Sequence, residues 1–162
     1  MALLKPHFRF RRITDIDVDF LKKKNIDLLL LDVDNTLSTH HGTVLVDGLT
    51  DWLEKIQSAG IRLIILSNSK RRRVEPFATG IGLDYVSMGL KPLPFGYLKA
   101  IRRLGGTRRN SAIIGDQLFT DSLGAHIVGI KSIILEPIKR ESMLSFKIRR
   151  YFEDKLYKIY KF

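Results

Sequence analysis

The chain has 162 residues, 44% of them hydrophobic and none of them cysteine, with 28 Lys/Arg against 17 Asp/Glu for a net charge of +11. That length suits one domain with a sizeable core, and that hydrophobic fraction excludes a disordered chain. The lack of thiols excludes a disulfide framework and a thiolate zinc site and fits a reducing cytosol. No apolar run is long enough to cross a bilayer, and the N-terminal MALLKPHFRFRR lacks the apolar segment and cleavage site of a signal peptide. The expectation is a cytoplasmic protein. Its positive charge gathers at the ends: residues 1–25 carry seven Lys/Arg against three Asp, and residues 136–162 eight against four acidic residues. Such a surface attracts polyanions, whether nucleic acid, anionic lipid or ribosome.

In chain order, IDLLLLD (26–32) is an apolar run bounded by turn-formers and reads as a strand buried on both faces. VDGLTDWLEKIQSAG (46–60) spaces Leu49, Trp52, Leu53 and Ile56 as on one helix face and ends in Gly60, a C-terminal cap. IRLIILS (61–67) is a second buried strand. KRRRVEPFATGIG (70–82) reads as a helix with Pro76 as its weak point. LDYVSM (83–88) is a short third strand and PFGYLKAIRRLGG (94–106) a helix closed by two glycines. SAIIGD (111–116) is a fourth strand, TDSLGAHIVGI (120–130) a short helix, and KSIILEP (131–137) a fifth strand. No repeat, low-complexity segment or linker interrupts them, so residues 1–162 are expected to form one domain with a basic N-terminal segment and an amphipathic C-terminal tail.

Strands alternating with helices predict a mostly parallel sheet with helices on both faces. Ligands of such sheets bind beyond the carboxyl ends of the strands, where strand order reverses. Asp32, Asp34 and Thr36 follow the first predicted strand; Ser67, Asn68 and Ser69 follow the second; Lys91 and Pro92 follow the third; Asp116 and Asp121 follow the fourth. Ordinary turn chemistry explains scattered Asx and Gly residues, but not this sorting of polar residues to one end.

If the sheet reverses between the first and fourth predicted strands, these are neighbours about 5 Å apart and Asp32 and Asp116 project side by side. Carboxylates gathered in one crevice repel unless a cation sits among them, and hard oxygen ligands without Cys or His favour Mg²⁺. His40 and His41 read as residues of a solvated loop and His126 as structural. A phosphate would meet the Ser67 hydroxyl and N–H, the start of the helix near Ser69, and the Lys91 ammonium. Asp32 is then a candidate nucleophile that forms an aspartyl-phosphate, and Asp34 a candidate acid and base for the leaving oxygen and the attacking water. A receiver domain phosphorylated on one aspartate would explain neither the spacing of Asp34 nor the Ser67 motif.

DVDNT (32–36), LSNS (66–69), KP (91–92) and GDQLFTD (115–121), in this order, resemble the four motifs of the haloacid dehalogenase superfamily of phosphatases, in the form of its subfamily IIIA. The N-terminal KPHFRFRRITDID and the basic tail further resemble the YqeG family, related to mitochondrial phosphatidylglycerophosphate phosphatases. The resemblance spans nearly the whole chain and is specific for fold and chemistry, less so for substrate. It implies a three-layer α/β/α open parallel sheet of Rossmann-like type and a Mg²⁺-dependent phosphatase. Asp32 is the implied nucleophile and Mg²⁺ ligand. Asp34 is the implied acid/base, with its backbone carbonyl on the metal. Asp116 is a further ligand, and Asp121 supports the metal through water or orients Lys91. Ser67, Asn68 and Lys91 are the implied phosphate-binding residues, with Asn68 and Thr36 also shaping the loops. Ser69 stands where many relatives carry a second asparagine, with no expected effect on catalysis.

Superfamily members often insert cap domains, but only about ten residues fit between Leu37 and Asp47, too few for one. The expected enzyme is capless and its site open. In the tail, LSFKIRRYFEDKLYKIYKF places Leu144, Ile148, Phe152, Leu156 and Ile159 near one helical face, flanked by Lys147, Arg149, Arg150, Lys155, Lys158 and Lys161. Such a helix can lie on an anionic membrane or pack on its own domain or a second subunit. The expected partner is a phosphorylated substrate, a lipid phosphate such as phosphatidylglycerophosphate by resemblance, with peripheral contact to the inner membrane face. Two alternatives stay open: a small or nucleic-acid phosphate ester as substrate, and a non-catalytic basic module binding nucleic acid or ribosome through SKRRR (69–73) and the termini.

Overall fold

The computed structural model describes residues 2–39 and 44–138, together with Tyr151, Phe152, Asp154, Lys155 and Lys158 of the tail. His40, His41 and most of the predicted amphipathic tail helix lie outside the described residues. Six strands, β1 (Phe8–Phe10), β2 (Leu28–Leu31), β3 (Arg62–Leu66), β4 (Asp84–Val86), β5 (Ser111–Gly115) and β6 (Lys131–Leu135), form one sheet in the order β1-β6-β5-β2-β3-β4. Every pairing is parallel. Among the described residues up to 138, the α-helices are α1 (Val18–Lys23), α2 (Leu49–Ser58), α3 (Arg71–Gly80), α4 (Pro94–Arg103) and α5 (Leu123–Val128).

The strands are apolar on both sides because both faces are covered. Leu29 and Leu31 of β2 share a core with Leu21 of α1, Trp52 and Ile56 of α2 and Val74 and Ala78 of α3. Leu28 and Leu30 point the other way, into a second core with Tyr97 and Ala100 of α4 and Ala125 and Val128 of α5. All four leucines are fully buried, so the run that opens the motif forms a rigid, dry base. The three-layer expectation holds, as does the reversal: β2 pairs with β3 on one side and β5 on the other, Leu31 standing opposite both Ile65 and Ile114. No cap is present among the described residues; the segment after β2 returns through a bridge between Ser38 and Leu45 directly into α2.

The sequence reading misses two elements, β1 and α1. β1 is a three-residue edge strand with Phe8 and Phe10 half buried and Arg9 turned to solvent, too short to carry a periodic signal. It is held by its register on β6, Phe8 opposite Ile133, and by Phe20 of α1, which packs edge-on against both phenylalanines. α1 is capped by Asp17, which accepts from the Phe20 N–H at 2.7 Å. Trp52 Nε1 ties this N-terminal segment to α2 by donating to the Ile16 carbonyl at 2.7 Å. α3 runs through Pro76 without ending there, and a wide turn (Leu118–Ser122) precedes the start of α5.

β1 also docks through a histidine. The Ser132 N–H donates to His7 Nδ1 at 3.1 Å and His7 stacks on His126 with ring centroids 4.7 Å apart. Burial, then His126 and Lys131, hold the His7 pKa below its ordinary 6.5. Arg108 and Arg109 line the same hollow. Protonating His7 would turn Nδ1 into a donor and cancel the bond from Ser132. Because the unfolded chain takes up this proton first, stability is present above the ordinary histidine value and is lost as pH falls through the lowered one. Wild-type protein is therefore expected to lose more thermal stability between pH 7.5 and 5 than His7→Gln, and equal losses would show that this histidine does not hold the edge.

Candidate active site

Beyond Leu31 the β2–β5 pairing continues one residue further, through a 2.9 Å bond from the Asp32 N–H to the Ile114 carbonyl. Asp32 therefore leaves the sheet from a fixed backbone. The chain then turns back on itself: Thr36, Leu37 and Ser38 all donate to the Val33 carbonyl, and Asn35 takes a left-handed conformation with φ 58°. On the neighbouring strand Asp116 follows Gly115 directly and is fully buried. Asp121 arrives from the turn before α5, also fully buried. One carboxylate oxygen from each of Asp32, Asp116 and Asp121 lies within 4.8 Å of the others.

Into this cluster reaches Lys91. Its Nζ donates to Asp32 Oδ1 and to Asp121 Oδ1, each at 2.7 Å, with the lysine side chain only 3% exposed. The loop holding Lys91 is clamped at its backbone by Asn68, which accepts from the Lys91 N–H at 2.7 Å and donates to the Lys91 carbonyl at 3.1 Å. Ser67, buried at the end of β3, accepts from the Ser69 N–H at 3.1 Å. Tyr97, on α4, donates to the Thr120 carbonyl at 2.8 Å and so fixes the turn that delivers Asp121.

The electrostatics follow from two buried carboxylates, Asp32 and Asp121, sharing one ammonium beside a third, Asp116. Burial pushes the Asp32 carboxyl up, Lys91 opposes that, and Asp121 and Asp34 add to it, leaving a value of about 7. Burial alone would lower the Lys91 pKa, but Asp121 and Asp32 more than offset it and keep the ammonium charged. Tyr97 is pushed up by burial and by Asp121. A further positive charge would relieve the cluster. The donor set fits a hard divalent cation, being three buried carboxylates with neither imidazole nor thiolate among them.

Asp32, Lys91, Asp116 and Asp121 thus meet at one point, with Asn68 beside them on the Lys91 backbone. Asp34 lies next to the cluster, but its carboxylate is paired with Arg73 of α3, a contact that sequence reasoning missed. SKRRR reads as a solvated charge run, and the one available signal is the helical spacing of Ser69 and Arg73, whose side chains bond at 2.9 Å. Tyr97 was also missed, being one apolar position among several on a helix. Thr36 is buried in the turn after Asp34. His126 stacks on His7 at the other end of the strands, in keeping with a structural reading.

Gly115 shows how tightly the cluster is built. A Cβ there would collide with the Asp121 carboxylate. Gly115→Ala is expected to lose about 1–3 kcal/mol of stability, as overpacked cores do, together with most activity. Gly80→Ala, at a glycine with open space around its missing side chain, is the control and should be close to neutral. Urea denaturation of both variants measures the difference, and equal stability would contradict the close approach.

Buried carboxylates and one lysine at the reversal point of a parallel sheet are the makings of an aspartate-centred phosphoryl-transfer hydrolase. Comparison with known proteins agrees: the chain belongs to the haloacid dehalogenase-like hydrolases, matching that family over residues 7–129, and is a phosphatase of that group. It is 28% identical over 146 residues to the Bacillus subtilis (strain 168) protein named "Probable phosphatase YqeG", covering 90% of this chain and 85% of that one. It is 24% identical over 157 residues to phosphatidylglycerophosphate phosphatase 1, chloroplastic/mitochondrial, of Arabidopsis thaliana, covering 90% of this chain but only 45% of that protein. In fold it resembles the crystal structure of 4-nitrophenylphosphatase from Thermotoga maritima, with a TM-score of 0.61 and 13% identity, over 75% of this chain and 89% of that one.

Proposed function

We propose that the chain is a Mg²⁺-dependent phosphomonoesterase that works through an aspartyl-phosphate on Asp32. The observation that carries this reading is the Lys91 ammonium, 2.7 Å from both Asp32 and Asp121 inside a buried carboxylate cluster. Asp32, Asp116 and Asp121, with the backbone carbonyl of Asp34, would hold the Mg²⁺, whose chemistry is to neutralise the phosphoryl oxygens and the carboxylates around them.

In the first step an Asp32 oxygen bonds to phosphorus and the ester P–O bond breaks, its electron pair going to the leaving oxygen, which takes a proton from Asp34. In the second step water attacks phosphorus, its proton returns to Asp34, and the Asp32–phosphorus bond breaks to release inorganic phosphate. Ser67 offers its hydroxyl and Lys91 its ammonium to the phosphoryl oxygens. Asn68 serves by holding the Lys91 backbone. Asp121 keeps the Lys91 side chain in place.

For substrate, the reading is a lipid phosphate, with phosphatidylglycerophosphate as the first candidate. A cavity of about 540 Å³ opens beside Asp34 and Ser67, with Ser69 and Arg73 on its polar side and Val33, Leu45, Val74, Phe77 and Ile81 on its apolar side. An apolar wall next to the proposed proton donor suits an apolar leaving group. The capless site and the basic chain ends favour a substrate presented at an anionic surface, where each Lys or Arg contributes roughly 1 kcal/mol. The contact proposed is a peripheral one; among the described residues no helix is long and apolar enough to cross a membrane.

The test is hydrolysis of phosphatidylglycerophosphate in anionic vesicles against a panel of soluble phosphate esters, with Mg²⁺ and with chelator. Faster turnover of the vesicle substrate, lost on chelation, is the expected result. Efficient turnover of the soluble esters with no binding to anionic vesicles at low salt would move the substrate to a small phosphate ester.

A further inference from the structure

We propose that Arg73 is a positioning residue that orients Asp34 for proton transfer to the leaving oxygen. The inference rests on the acid/base reading of Asp34 given above. Asp34 sits on a loop beyond the rigid strand, where its carboxylate has two side-chain torsions to lose. Arg73 removes that freedom from both sides: Nη1 donates to Asp34 Oδ2 at 3.0 Å, and Nη2 donates to Oδ1. A planar guanidinium that meets both oxygens of a carboxylate fixes its plane as well as its position, which an ammonium cannot do.

The arginine is braced in turn. Its Nη1 also donates to Ser69 Oγ at 2.9 Å, and the Ser69 N–H donates to Ser67 Oγ at 3.1 Å. A chain of hydrogen bonds, passing through both the backbone N–H and the hydroxyl of Ser69, therefore runs from the proposed phosphate-binding serine at the end of β3 to the proposed proton donor after β2. Ser69, the residue expected to be silent, is its middle link. Asp34 is 16% exposed and Arg73 32%, so the pair stands at the mouth of the cavity, where a leaving group passes. The neighbouring Arg71 does something else: it pairs with Glu75 one turn along the helix, at 2.8 Å, in the open.

The test uses the full chain with Mg²⁺ and two substrates, 4-nitrophenyl phosphate, whose leaving group departs with little help from an acid, and a simple alkyl phosphate, whose leaving group needs the proton. Because kcat/KM reports the step in which the ester bond breaks, a misplaced acid lowers it selectively for the alkyl ester. Arg73→Gln is expected to lose roughly 10- to 100-fold more on the alkyl than on the aryl substrate, Arg73→Lys less than Arg73→Gln, and Arg71→Gln nothing selective. Equal losses on both substrates, or a gain in activity, would overturn the inference and make Arg73 a structural or restraining residue. Asp34→Asn is measured alongside. If it is selective and Arg73→Gln is not, only the positioning role falls; if Asp34→Asn is itself unselective, the acid/base reading falls and this inference with it.

Discussion

Asp32→Asn is expected to abolish hydrolysis of 4-nitrophenyl phosphate, by roughly 10⁴-fold or more, the scale on which loss of a covalent nucleophile is felt. The substitution keeps the shape of the side chain at the end of β2 and removes the charge that attacks phosphorus. It should leave the fold standing, because Lys91 keeps its second partner, Asp121, at 2.7 Å. It also lightens the repulsion in the cluster, so the metal-free variant should melt no lower than wild type. Two measurements separate the mechanism from a simple loss of metal: steady-state rates across a wide range of Mg²⁺, and trapping of the phosphorylated protein by mass spectrometry after rapid acid quench. Wild type should show one added phosphoryl group on the peptide containing Asp32, and the variant none at any Mg²⁺ concentration. Activity in Asp32→Asn near the wild-type level would remove the covalent mechanism.

The fold and the centre of the site were legible because they rest on local signals. Apolar runs such as Leu28–Leu31 and Leu63–Leu66 can be satisfied only by a sheet covered on both faces, and the polar residues all fall just after such runs. Once β2 and β5 are neighbours, Asp32 and Asp116 have nowhere else to go. What escaped has no local signal. β1 is three residues long and is held by long-range pairing with β6 and by an aromatic cluster, so its own alternation says almost nothing. The Arg73–Asp34 pair joins the loop after β2 to the first turn of α3, 39 positions on, and apart from the spacing of Ser69 and Arg73 nothing in KRRR distinguishes the arginine that turns inward from those that face water. The binding of Asn68 to the Lys91 backbone is invisible for the same reason, since it depends on how two loops approach across the ends of β3 and β4.

Lys91→Met should give the largest effect on stability and remove catalysis as well. The replacement has a similar length and no charge, so it leaves Asp32 and Asp121 buried with their shared ammonium gone. Removing one partner of a buried ion pair costs about 3–5 kcal/mol, because the remaining charge has neither water nor a counter-ion. Here two carboxylates are stranded beside a third, Asp116. The pH dependence has a definite sign. The Asp32 carboxyl already stands raised, at about 7, by burial. A carboxyl with a raised folded value contributes stability below its unfolded value and loses it as pH rises through the folded one. The variant's deficit should therefore be small at pH 5 and large at pH 8. A divalent cation bound among the carboxylates would offset the deficit by mass action, by about 2.7 kcal/mol at a hundredfold excess over its dissociation constant. Mg²⁺ at pH 8 should accordingly raise the melting temperature of Lys91→Met more than that of wild type, while turnover stays lost because no ammonium meets the phosphoryl oxygens. A variant as stable as wild type at pH 8 and indifferent to Mg²⁺ would mean that neither the lysine nor a cation is needed to keep these carboxylates together.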